Sequence, residues 1–232
     1  MLREIVFDTE TTGLDAANGD RLIEIGCIEI VNRIPTGREF HRLLNPDRQV
    51  HPDAVAVHGL TDELLRDKPR FPEIVDEFLH FIGDAPLVAH NGTFDLGFIN
   101  AELERLSRPP LPPGRIVDTL ALARRRHPAG PNTLDALCKR YGIDLSQRTK
   151  HGALLDSMLL ASVYVELLGE RQTALVFGGN GAAGVTLTQT APAIRRPQPL
   201  PPLLSLEEEA AHLEFIKTLG PEPVWFQYLG RM

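Results

Sequence analysis

Three segments rich in Ile, Val, Leu and Phe open the chain, at residues 2–7, about 21–31 and about 37–44, before any helical periodicity begins. Apolar runs of this composition and length read as strands. Helical spacing starts only after Pro72, at Ile74, Val75, Phe78, Leu79 and Ile82. A short buried strand, "PLVA" at 86–89, follows, then a helix carrying Phe98, Ile99, Leu103 and Leu106, then "RIV" at 115–117 as a last strand. Three strands followed by alternating helix and strand call for an α/β fold, a mixed five-stranded sheet flanked by helices.

The second half is organised differently. Leu134, Leu137, Cys138 and Tyr141 mark a helix capped by Asn132 or Thr133 and ended by Gly142. A nearly all-apolar helix spans about 153–169. The segment 178–204 then holds nine Gly or Pro in 27 residues and few large apolar groups, so it reads as a linker. Beyond it Ser205 and Glu208 form a capping-box pattern before Ala210, Leu213, Ile216 and Leu219. The expected division is a domain over 1–170, a motif and linker over 171–204 and a terminal segment over 205–232.

Composition narrows the function classes. No apolar run approaches the ~20 residues of a membrane span, and the N-terminus runs straight into a strand, so neither a membrane nor a secretory signal is expected. Cys27 and Cys138 fall in apolar patterns outside any Cys/His cluster and read as buried thiols of a reducing cytoplasm. The net charge of −7 argues against non-specific nucleic-acid binding, although residues 105–150 carry ten Lys or Arg against three Asp or Glu.

Within that frame the acids of "VFDTETTGL" stand out. Asp8 and Glu10 end an apolar strand and, two residues apart, share one of its faces. They repel each other unless a positive group lies between them; the readings are a solvated strand end or a metal site. Asp95, in "HNGTFDLGF", lies just past a buried strand, and Asp156, in "RTKHGALLDS", lies inside the apolar helix. A buried carboxylate there needs a basic partner or a metal. No Lys or Arg stands within four residues of Asp95, and Lys150 is too far round to pair simply with Asp156. Hard oxygen ligands suit Mg²⁺ or Mn²⁺. His151, five residues before Asp156, lies about 140° from it on an ideal helix. It is therefore expected on the preceding loop, with Gly152 permitting the bend, where it could serve as a general base.

These motifs resemble those of the DEDDh 3′–5′ exonucleases, the DnaQ-like group on the ribonuclease H-like fold. The resemblance rests on Asp8-x-Glu10, Asp95 and His151-x4-Asp156 with their flanks, covers about residues 1–170, and is closest to the proofreading subunits of bacterial replicative polymerases, including "NTLDALCKRYGID". It implies hydrolysis of single-stranded or frayed 3′ DNA ends with two divalent ions bridged by Asp8. Glu10 and Asp156 would complete one ion's site, Asp95 would act mainly through water on the other, and His151 would be the general base. It further implies that Leu14 wedges against the terminal bases and that Asp53 and His58, in "HPDAVAVHGLT", contact the terminal nucleotide, alongside Asp8, Glu10 and Asp156. "QTALVF" resembles a sliding-clamp peptide, with Gln172, Leu175 and Phe177 as anchors. Residues 205–232, with Leu213, Ile216, Trp225 and Phe226, are expected to dock on the polymerase subunit. A free-standing DEDDh enzyme that trims RNA or oligonucleotides is the alternative, for which a linker and second apolar segment have little use.

Overall fold

The computed structural model describes residues 2–146, 148, 150–169 and 205–219. The chain separates into two units, Met1–Val176 and Phe177–Met232.

The first unit is built on strands β1 (Arg3–Thr11), β2 (Leu22–Val31), β3 (Ile34–Leu43), β4 (Leu87–Ala89) and β5 (Ile116–Asp118). They form one sheet in the order β3-β2-β1-β4-β5. The first three are antiparallel neighbours, while β4 and β5 run parallel to β1. This is the mixed sheet expected from the order of patterned segments, and it has the ribonuclease H-like arrangement. Helices α1 (Pro52–His58) and α2 (Asp62–Leu65) follow β3, α3 (Phe71–Ile82) leads to β4, and α4 (Gly92–Arg105) leads to β5. Then come α5 (Thr119–Arg126), α6 (Leu134–Tyr141) and α7 (Ala153–Leu168).

The alternation along β1 divides the core into two layers. Ile5 and Phe7 pack with Phe71, Ile74, Val75 and Phe78 of α3 and with Leu96 and Ile99 of α4. Val6 points the other way, with Ile28, Ile30 and Val88, onto Leu160, Ala161 and Tyr164 of α7. Asp8 and Glu10 share the parity of Val6, so the strand aims both acids toward the layer that contains α7. Cys27 and Cys138 are buried free thiols.

Two departures from the sequence reading bear on the site. β1 continues to Thr11 rather than stopping at residue 7, because its pairing with β2 persists through Glu10 opposite Glu24. Its other edge is paired with β4 only at Ile5 and Val6. Beyond Val6, β1 is thus a two-acid strand paired on one side, with a notch on the other. Three short helices, α1, α2 and α5, went unread; each begins on a side-chain cap, from His51, Thr61 and Asp118 respectively, and is too short to show a period.

The register also explains how α7 comes so close. Gly26 lies opposite Asp8. A Cβ there would stand 2.2 Å from Leu154 N and 2.3 Å from Ala153 C, so only glycine lets the first turn of α7 rest on β2. Ser157 Oγ donates to Gly26 O at 2.9 Å, and Ala153 N donates to Glu24 Oε2 at 3.1 Å. Glu24 therefore caps α7 from across the fold, where Gly152 offers no side chain of its own.

Of the second unit, one helix is described, α8 (Leu206–Thr218). It has the expected capping box between Ser205 and Glu208; Leu213 is exposed and Ile216 buried. Gln172, Leu175, Phe177, Trp225 and Phe226 lie outside the described residues. Gly26→Ala is expected to destabilise the protein by about 3 kcal/mol, because the contact is with backbone rather than a mobile side chain. Urea unfolding with an unchanged midpoint would show that α7 can retreat without loss.

Candidate active site

Three elements bring the acids together at the notch. β1 supplies Asp8 and Glu10, the first turn of α4 supplies Asp95, and the first turn of α7 supplies Asp156. Single ligand atoms from Glu10, His151 and Asp156 lie within 4.8 Å of one another, close enough to hold one metal ion. Asp8, Asp95, His151 and Asp156 line a common cleft of about 610 Å³ together with His90 and Arg148.

Burial and mutual repulsion raise the proton affinity of Asp8, Glu10 and Asp95. The carboxyl of Asp8 is raised well above its usual range, by burial first and then by Asp95, Glu10 and Asp156. Burial, with Glu24 and Asp156 adding repulsion, pushes Glu10 up to about 8. Asp95 is raised to about 6 by burial, against the restraining effect of its hydrogen bonds. Thr9 Oγ1 donates one of these to Asp95 Oδ1 at 2.7 Å. Such a set of hard oxygen donors, with too little positive charge around it, fits a divalent-cation site.

His151 sits outside α7, on the loop expected for it, and is about half exposed. Its Nδ1 lies 3.3 Å from Asp156 Oδ2. The bend does not require Gly152, whose φ of −162° is extended backbone open to any residue. The sequence reading also missed the partner of Asp156. Lys150 makes no pair with it; Arg148 does, through Nε and Nη2 at 2.6 Å each. Arg148 was visible in "RTKHGALLDS" three residues before His151, but its eight-residue separation from Asp156 spans a loop whose path no local rule gives.

The residues expected to touch the substrate divide between two places. Leu14, Asp53 and His58 line a second cleft of about 660 Å³, beside Thr11, Arg48 and His51. Leu14 is 85% exposed. His58 is buried; its Nδ1 accepts from Leu60 N at 3.0 Å, while its Nε2 finds no hydrogen-bond partner. Since Nδ1 is the acceptor, Nε2 carries the proton; that atom is itself buried, with the backbone of Thr11 beside the ring.

Sheet, notch and acid cluster define a nuclease of the carboxylate, metal-assisted type. The chain belongs to the exonuclease family, whose sequence model matches residues 5–164. It is 52% identical over 176 residues to the DNA polymerase III subunit epsilon of Rickettsia felis, covering 75% of this chain and 77% of that protein. The subunit of the same name from Salmonella typhimurium is 44% identical over 240 residues, covering 96% and 97%. Among solved structures, exonuclease X in complex with 5′-overhanging duplex DNA superposes with a TM-score of 0.56 at 29% identity, covering 73% and 92%. The nuclease domain of 3′hExo, a DEDDh family member, shares the fold at a TM-score of 0.62 and 16% identity, covering 72% and 92%.

The raised carboxyls set a pH dependence. The folded state holds protons on Glu10 and Asp95 that the unfolded chain releases at ordinary carboxylate pH. Metal-free protein therefore loses stability as pH rises from about 4.5 toward 8. Melting in a chelator should show a midpoint that falls across this interval; a flat or rising midpoint would mean that the acids are not held neutral.

Proposed function

We propose that this chain is the proofreading 3′–5′ exonuclease subunit of a replicative DNA polymerase, removing mispaired 3′-terminal nucleotides. The observation that carries this reading is the convergence of Asp8, Glu10, Asp95, Asp156 and His151 on one notch. The near full-length likeness to DNA polymerase III epsilon subunits supports the polymerase context.

In this reading Asp8, Glu10, Asp95 and Asp156 hold two divalent ions, Mg²⁺ or Mn²⁺. When bound, these supply the positive charge that eases ionisation of the attacking water and departure of the 3′ oxygen. His151, on its exposed loop, takes the proton of that water at a ring nitrogen. Leu14, Asp53 and His58, which line one cleft, border the terminal nucleotide. Selection of a mismatch follows from access: a mispaired end costs less to unpair and reaches the notch more often as a single strand.

The partners follow from the second half of the chain. Residues 205–232 dock on the polymerase III alpha subunit through Leu213, Ile216, Trp225 and Phe226. Residues 172–177 bind the sliding clamp, with Leu175 and Phe177 as apolar anchors and Gln172 at the rim. Two such attachments keep the nuclease near the primer end at high effective concentration, and place the protein in the cytoplasm. No helix among the described residues is long and apolar enough to cross a membrane.

Replacing Asp8, Glu10, Asp95 or Asp156 by Ala should abolish Mg²⁺-dependent excision of a mismatched primer end while leaving the fold intact. His151→Ala should lower the rate by about 10²–10⁴. Near wild-type excision by any acid variant would remove that residue from the site. Preferential degradation of RNA over DNA of the same sequence would favour a free-standing RNA-trimming enzyme instead. Truncation after Leu204 should abolish co-elution with the polymerase but not hydrolysis of free single strands, and a peptide of residues 170–179 should bind the clamp. Retained co-elution, or no peptide binding at high micromolar concentration, would dismiss the corresponding contact.

A further inference from the structure

Arg148 enters the acid cluster from the segment before α7, with its side chain 7% exposed. Its Nε and Nη2 each lie 2.6 Å from one oxygen of Asp156, so the fork engages both. Its Nη1 donates to Asp135 Oδ1, at the start of α6, at 2.5 Å. Nη2 also lies 2.9 Å from Nδ1 of His151.

This arrangement occupies two groups that catalysis needs. A guanidinium fork on Asp156 sets a full positive charge where a divalent ion bound by that carboxylate must approach. Arginine has no acceptor, so Nδ1 of His151 is the acceptor in their contact, and the neutral ring carries its proton on Nε2. Neither ring nitrogen is then free to take a proton from water. Asp135, by contrast, is about half exposed and lies outside the cleft-lining acids, so it can keep Nη1 when the other two nitrogens leave.

We propose that Arg148 is a positioning residue that latches Asp156 and His151 in the metal-free protein, and that it transfers to Asp135 alone when a divalent ion binds. The latch provides the missing positive charge while no ion is present, and it keeps the base masked until one arrives. It rests on the reading of Asp156 as a metal ligand. A divalent ion shifts the latch only by its preference for the released state, so weakening either anchor must change its apparent affinity in opposite senses.

The test is Mn²⁺ binding to the full-length protein without substrate, followed by electron paramagnetic resonance of the free ion, with melting measured in parallel in a chelator. Arg148→Gln should bind Mn²⁺ roughly fivefold more tightly or better, the ratio equivalent to one modest ion pair. Its melting point in chelator should fall, and saturating Mn²⁺ should close the gap to wild type. Asp135→Asn, which leaves the guanidinium no second anchor, should bind Mn²⁺ more weakly. Unchanged or weaker binding by Arg148→Gln overturns the latch. If that variant does not fold in chelator, Asp135→Asn decides, and unchanged or tighter binding there overturns it. Asp156→Asn separates the two levels: wild-type binding by this variant removes the ligand reading itself. Lost binding there, with Arg148→Gln unchanged, removes only the latch.

Discussion

Like charge forced into a poorly hydrated notch is the constraint on which the rest of this structure depends. Asp8, Glu10, Asp95 and Asp156 are drawn from three different elements into one notch, and the carboxyls of Asp8, Glu10 and Asp95 respond with a raised proton affinity. Left to itself such a cluster would spread apart. The fold prevents this with contacts that have nothing to do with the acids' own chemistry. β2 pairs with β1 through Glu10, which fixes the two strand acids on the face of Val6. Thr9, on the opposite face of the same strand, reaches Asp95.

The seat of α7 is the second half of this confinement. Gly26 removes the side chain that would keep the helix at ordinary distance from the sheet. Glu24 caps the helix from β2 and is itself bonded to His41 at 2.6 Å. Ser157 then ties the helix back to the strand carbonyl. With its first turn pinned at three points, α7 cannot rotate Asp156 away from Glu10. The cluster is thus preorganised by the sheet register and helix packing, so the positive charge of a bound ion meets acids that need little reorganisation.

What could be read from the sequence follows the range of the interactions involved. Period two placed Asp8 and Glu10 on one face, and the angle between His151 and Asp156 put the histidine on a loop; both are local geometry. The succession of strands along the chain was legible because apolar segments are punctuated by turns. Arg148 was not legible as the partner of Asp156, since the chain between them does not follow a fixed period. The same holds for Thr9 with Asp95, Glu24 with the start of α7, and the clearance at Gly26, each set by pairing between residues more than 80 positions apart. The short helices α1, α2 and α5 hid for a different reason: caps rather than periodicity begin them.

The electrostatic account makes its most direct commitment in protons. Carboxyls held neutral by burial and by one another must give up those protons when a divalent cation takes their place. Calorimetric titration with Mn²⁺ near pH 7, repeated in buffers of different ionisation enthalpy, counts the protons released per chain. With Glu10 at about 8 and Asp8 also raised, release of about one proton or more is expected. Ion binding without proton release would contradict the account, because it would mean that Asp8 and Glu10 already sit ionised side by side before any metal arrives.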